Sequence, residues 1–224
     1  MRWMMRTVSL ALLGALLLTG AACHRLPATP PVDPAADRAA DLVEVDRLDP
    51  TLRLDIRYAT ADNFVGRQVY PEARAFLQRP AAEALLRVQQ ALRPEGVGLV
   101  VYDAYRPWSV TKLFWELTPK EKHDFVADPR KGSRHNRGCS VDVGLVDLAT
   151  GRQIPMPSGY DEMNERAHPD YPGGPEEARR WRDWLRAAME AEGFEVYPYE
   201  WWHYDYKDWA RYPILDLPFS AFPR

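Results

Sequence analysis

The sequence predicts an α+β fold: a single domain with a central, mainly antiparallel sheet flanked by helices. Three observations predict it. Strand-like and helix-like segments do not alternate strictly, which disfavours a parallel α/β arrangement. Twenty prolines in 224 residues cut the chain into short elements and argue against a helical bundle. A hydrophobic content of 46% over this length supplies enough apolar mass for one proper core.

The elements follow in chain order. "LDIRYATADNFVGRQVY" opens the folded part with a short strand and a turn-rich loop. "PAAEALLRVQQALRPEG" begins with Pro, carries apolar residues at helical spacing and ends in Gly, three signals of a helix. "VGLVVYDAYRP" is a continuously apolar, buried strand that stops at Asp103 and Pro107, and "WSVTKLFWEL" continues as a second helix. Residues 118–134 are polar and loop-like. In "CSVDVGLVD", Val141, Val143 and Leu145 alternate with Ser140, Asp142 and Gly144, so a strand here turns Asp142 away from the valine face. "DLATG" reverses the chain, and the following 23 or so residues carry no regular pattern, a length that marks a functional or mobile loop. "PEEARRWRDWLRAAMEAEG" is the clearest helix, with Pro175 and two glutamates at its start, a stripe of Ala178, Trp181, Leu185, Ala188 and Met189, and Gly193 at its end. "FEVYPYEWWHYDYKD" supplies one or two further strands.

The first residues are of another kind. "MRWMMR" followed by "TVSLALLGALLLTGAAC" is positively charged, then apolar, then small, and is expected to be a secretory leader of lipoprotein type over residues 1–22, with lipid on Cys23. Residues 23–45, rich in Pro, Ala and Asp, are expected to be a flexible tether, and 46–224 the folded domain. These features lead us to expect a location in the cell envelope, on the periplasmic side, with membrane contact only through that lipid. With Cys23 lipidated, Cys139 has no partner, so no intrachain disulfide is expected; by alternation Cys139 shares the valine face and is not expected to bind metal. Twenty-nine basic against 32 acidic side chains leave no basic face for nucleic acid.

An acid on an apolar strand is either exposed or held by a cation. His135 stands six residues before Asp142, and His203 sits between Trp202 and Tyr204, where a solvated imidazole would be out of place. Alone, His203 would read as a core histidine bonded to a backbone carbonyl. With His135 and Asp142 it completes a set of two imidazoles and one carboxylate, which suits zinc and leaves the fourth position open, as catalytic zinc sites do. The same donors also serve non-haem iron oxygenases, whose His–Asp pair is more often tighter. Glu200 is the candidate base for a metal-acidified water. Residues three apart on a regular strand face opposite ways, so Glu200 and His203 share a site only if the strand bulges near Trp201, which Pro198 favours. Arg106, at the end of its strand, either steadies a developing oxyanion or locks onto Asp103.

With those residues identified, the chain from about Leu54 to Pro218 resembles the VanX-like D-alanyl-D-alanine dipeptidases of the zinc DD-peptidases, peptidase family M15. The resemblance rests on "IRYATADNF", "YDAYRP", "SRHNRGCSVDVGL", "GYDEMNERAH" and "EWWHYD" in this order. It implies the zinc DD-peptidase (hedgehog-like) fold, one zinc on His135, Asp142 and His203, Glu200 as general base and then acid, and Arg106 as the arginine that steadies the transition state. It further implies that Tyr58, Ser133 and Asp161 line a small pocket for a D,D-dipeptide, with Asp161 facing the free ammonium. Capping roles for Asp161 and Ser133 stay open. The implied reaction is hydrolysis of D-Ala-D-Ala; the alternative is a DD-carboxypeptidase acting on longer stem peptides.

Overall fold

The computed structural model describes residues 26–223, so the expected leader and Cys23 lie outside the described residues. Strands are β1 (Leu42–Glu44), β2 (Arg53–Leu54), β3 (Phe76–Gln78), β4 (Val97–Asp103), β5 (Ser140–Asp147), β6 (Phe194–Tyr197) and β7 (Glu200–Tyr206). Helices are the single turn α1 (Val45–Leu48), then α2 (Arg79–Leu92), α3 (Trp108–Leu117) and α4 (Glu176–Ala191). The central sheet runs β2-β4-β5-β7-β6, antiparallel except for the short parallel pair β2–β4, and β1 pairs with β3 as a separate ribbon. An α+β domain with a mainly antiparallel sheet is therefore what the chain forms.

The helices obey their sequence signals. Pro80 lies in the first turn of α2, where its missing N–H costs nothing, and Gly96 takes the left-handed conformation just beyond that helix and its trailing 3-10 turn. Helices α2 and α4 pack on each other and against the sheet. Val141, Val143 and Leu145 of β5 are fully buried on one face of the sheet, as is Cys139, a free cysteine. The intervening Ser140 and Asp142 are equally buried, at 0% and 2% exposure, so the polar face of β5 is not a wet one.

Two irregularities in the sheet position the site. Between β4 and β5 the partners change from Val101–Val143 to Asp103–Asp142, so Tyr102 is an extra residue and the two aspartates come opposite each other. Between β6 and β7 the partners jump from Val196–Tyr204 to Tyr197–Glu200, leaving Trp201, Trp202 and His203 without partners on β6. This is the bulge that the Glu200–His203 spacing requires.

The tether expected over residues 23–45 is corrected from Asp33 onward. Asp33 accepts a hydrogen bond from Arg137 (2.7 Å), Asp37 from Arg211 (2.8 Å), and Arg38 donates to Asp208 (3.0 Å). Asp41 binds Arg79, Leu42–Glu44 form β1, and Val45 is fully buried. Composition made this segment look free because its anionic side chains find guanidinium partners far away in sequence. Gly138, at φ +66°, sits under this strap: its carbonyl accepts from the Gln78 N–H (2.8 Å), and a Cβ there would overlap the Leu42 side chain. Gly138→Ala is expected to add the ~1–2 kcal/mol cost of a left-handed non-glycine residue and to dislodge β1. Thermal unfolding should shift down by about 2–8 °C; an unchanged midpoint would show that β1 and this turn are not coupled.

Candidate active site

The register of the sheet places Asp103, Asp142 and His203 side by side on β4, β5 and β7. A 3-10 turn at His135–Arg137, entering β5, adds His135. The Ser133 hydroxyl accepts from the His135 N–H (3.2 Å) and so caps this turn, while Ser133 also lines the adjoining cavity. His135 Nε2, His203 Nδ1 and Asp142 Oδ1 form a nearly equilateral triangle with edges of 3.1, 3.2 and 3.3 Å. A tetrahedral ion with bonds of about 2.0–2.1 Å requires donor-to-donor edges of roughly 3.3 Å. The three residues are at most 8% exposed.

The nitrogens that face away from the triangle are engaged. His135 Nδ1 lies 2.6 Å from the carbonyl of Ala104, which can only accept, so the proton is on Nδ1 and the Nε2 lone pair points inward. His203 Nε2 lies 2.9 Å from Asp205 Oδ1 and donates to it, which frees Nδ1. Asp142 Oδ2 accepts from the Tyr160 hydroxyl (3.0 Å), but Oδ1 is buried without any hydrogen-bond partner. An unsatisfied buried carboxylate oxygen is costly unless a cation completes it. Orphaned oxygen, inward lone pairs and donor chemistry all fit a zinc-sized divalent ion.

Glu200 lies beside this triangle, with Oε2 3.6 Å from His203 Nδ1. Burial pushes its carboxyl up to about 8, with His203 opposing and Asp142 and Asp161 reinforcing. A carboxyl poised near neutrality is suited to passing protons. Arg106, 8% exposed, donates through Nε (2.9 Å) and Nη2 (2.7 Å) to Asp103 Oδ2, and Nη2 is 3.9 Å from Asp142. Its guanidinium also lies over the rings of Phe114 and Tyr58, 4.8 and 5.4 Å from their centroids. The lock with Asp103 therefore exists, and it holds the guanidinium at the cavity wall. Asp103 is itself fixed by the Tyr70 hydroxyl (2.9 Å) and by the Ala104 N–H.

The cavity has a volume of about 490 Å³, and Tyr58, Ser133 and Asp161 all line it beside the triangle. The Tyr58 hydroxyl donates to Asp161 Oδ2 (2.8 Å) although the two residues are 103 apart in sequence. Asp161 is the one non-glycine residue with positive φ (58°) among the described residues, a strained backbone of the kind that surrounding structure must enforce. Burial raises its carboxyl to about 7, against the Tyr58 hydrogen bond. Each residue singled out from sequence thus reaches one cavity. Sequence reasoning assigned nothing to Tyr160 or Asp205; the H-x-D spacing within "EWWHYD" was a signal for Asp205, since residues two apart share a strand face, whereas nothing marked Tyr160.

A family model described as D-ala-D-ala dipeptidase, Peptidase_M15, matches residues 38–224. The D-alanyl-D-alanine dipeptidase of Escherichia coli (strain K12) is 37% identical over 182 residues, covering 81% of this chain and 93% of its own. The D-alanyl-D-alanine dipeptidase of Enterococcus faecium is 33% identical over 194 residues, 78% of this chain and 96% of its own. Among solved structures, the LdcB LD-carboxypeptidase aligns with a TM-score of 0.45 at 20% identity, over 80% of this chain and 77% of that one.

The triangle yields a direct test. Wild-type protein dialysed against trace-metal-free buffer is expected to retain a divalent ion by elemental analysis, and Asp142→Ala to lose it. Equal metal content in both would remove Asp142 from the ligand set.

Proposed function

The chain belongs to the D-Ala-D-Ala dipeptidase family, Peptidase_M15, and on that premise we propose that it is a zinc metallodipeptidase cleaving D-Ala-D-Ala into two D-alanines. The observation that carries this reading is the triangle of donors with its orphaned Asp142 oxygen, next to Glu200. One zinc per chain would be held by His135, Asp142 and His203. Zinc there supplies a Lewis acid that polarises the scissile carbonyl and lowers the pKa of water.

The remaining chemistry belongs to side chains. Glu200 takes the proton from the attacking water and returns it to the leaving amine. Arg106, held by Asp103, offers its remaining N–H groups to the carbonyl oxygen as negative charge develops there. Asp161, supported by Tyr58, receives the substrate ammonium at a recessed position, and Ser133 lines the same pocket. A carboxylate so placed favours a free dipeptide: in a longer peptide the ammonium is replaced by a neutral acyl group, which leaves Asp161 facing no cation. This favours dipeptides over stem peptides.

Location follows from the leader. We propose export and lipidation of Cys23, putting the enzyme in the periplasmic cell envelope, where cell-wall peptides are its substrates. The charged, apolar and small-residue succession before Cys23 supports this.

Zinc-loaded enzyme is expected to release D-alanine from D-Ala-D-Ala and far less from a pentapeptide stem. Preference for the stem would make it a carboxypeptidase and remove the role given to Asp161. In Glu200→Ala, turnover should fall by about 10²–10⁴-fold while zinc stays bound; unaltered kcat would dismiss Glu200 as the base. Cys23→Ser should move the protein from membranes to the soluble periplasmic fraction, and continued membrane association would argue against the lipid anchor.

A further inference from the structure

We propose that Asp205 is a positioning residue for the metal site, fixing the tautomer and orientation of His203, and that Ser140 and Arg134 hold Asp205 in that role. The inference rests on the zinc reading above and assigns a function to side chains which that reading leaves unused.

The geometry is a rectangle on one face of the sheet. Asp142 and His203 are cross-strand partners on β5 and β7, and Ser140 and Asp205 are the next same-face pair, two residues along each strand. The front pair points donors into the triangle; the back pair supports it. Asp205 is 6% exposed, and both its oxygens are occupied. Oδ1 accepts from His203 Nε2 (2.9 Å) and from the Ser140 hydroxyl (2.5 Å), and Oδ2 accepts from Arg134 Nη1 (2.8 Å). The guanidinium of Arg134 is in turn seated over the ring of Trp209, 4.5 Å from its centroid.

The two histidines present opposite nitrogens, and this explains why they need different holders. His135 enters from a turn and reaches the triangle with Nε2, so a carbonyl, that of Ala104, secures its Nδ1 proton. His203 stands directly across from Asp142 and presents Nδ1, the nitrogen nearer its own backbone. Its Nε2 proton therefore needs an acceptor two residues further along β7, where Asp205 stands. A carboxylate in that position also makes the imidazole a stronger donor than a neutral carbonyl would. Arg134 adjoins His135 in sequence, so one short turn carries one ligand and clamps the support of the other.

Zinc affinity, measured by competition with a chromophoric chelator, tests the assignment, together with the visible spectrum of the cobalt-substituted protein. Asp205→Ala is expected to weaken zinc binding by about 10–100-fold and to alter the cobalt spectrum. Asp205→Asn keeps the shape and an acceptor but loses the charge, and should fall between Asp205→Ala and wild type; Ser140→Ala should weaken binding by a smaller factor. If Asp205→Ala does not fold, Asp205→Asn and Ser140→Ala decide the matter. Folded Asp205 variants with wild-type zinc affinity and an unchanged cobalt spectrum would overturn the assignment. A wild-type protein that binds no zinc would instead overturn the metal reading beneath it.

Discussion

One oxygen atom organises this molecule. Asp142 Oδ1 is sealed from water and accepts no hydrogen bond, and it lies between His135 Nε2 and His203 Nδ1, whose opposite ring nitrogens are already engaged. A buried carboxylate oxygen without a partner is costly, and positive charge between the two imidazoles would offset that cost. Around that requirement the rest of the cavity is arranged. Asp103 neutralises Arg106 so that its cation does not pair fully with Asp142, and Tyr160 occupies the second Asp142 oxygen, leaving the first to face the imidazoles.

The sheet meets this requirement by departing from regularity in two places. A strictly alternating β4 would carry Asp103 out of line with Asp142, and a strictly alternating β7 would send Glu200 and His203 to opposite faces. The single-residue bulge at Tyr102 and the three-residue excursion at Trp201–His203 correct both. Bulges weaken local pairing, and here they lie in strands otherwise packed by fully buried residues such as Leu99, Val143 and Tyr204. The precision of the site thus rests on a core that can absorb two interruptions.

How much of this was legible in the sequence depends on the range of the interaction. Helices α2, α3 and α4 and strands β4 and β5 announce themselves by local periodicity and capping, and the structure follows those signals closely. His135, Asp142, His203 and Glu200 could be singled out because each is chemically out of place among its neighbours, and the need for a bulge followed from a spacing of three. Contacts set by register were not legible. The Tyr58–Asp161 hydrogen bond spans 103 residues, and the Ser140–Asp205 contact exists only because β5 and β7 pair in one particular alignment. The same blindness made residues 33–45 look like a free linker, since nothing local shows that Asp33 belongs with Arg137.

That last contact redefines where the folded unit starts. Arg137 is almost wholly enclosed, two positions from His135, and its guanidinium is shared between the Tyr212 carbonyl and the Asp33 carboxylate. A shortened gene product cut at the apparent domain edge, near residue 46, would discard that carboxylate together with β1 and leave the Arg137 guanidinium without its anionic partner, two positions from His135. Recombinant versions meant to report native chemistry are therefore best trimmed ahead of Asp33, inside the proline-rich run, where the described residues form no ion pair.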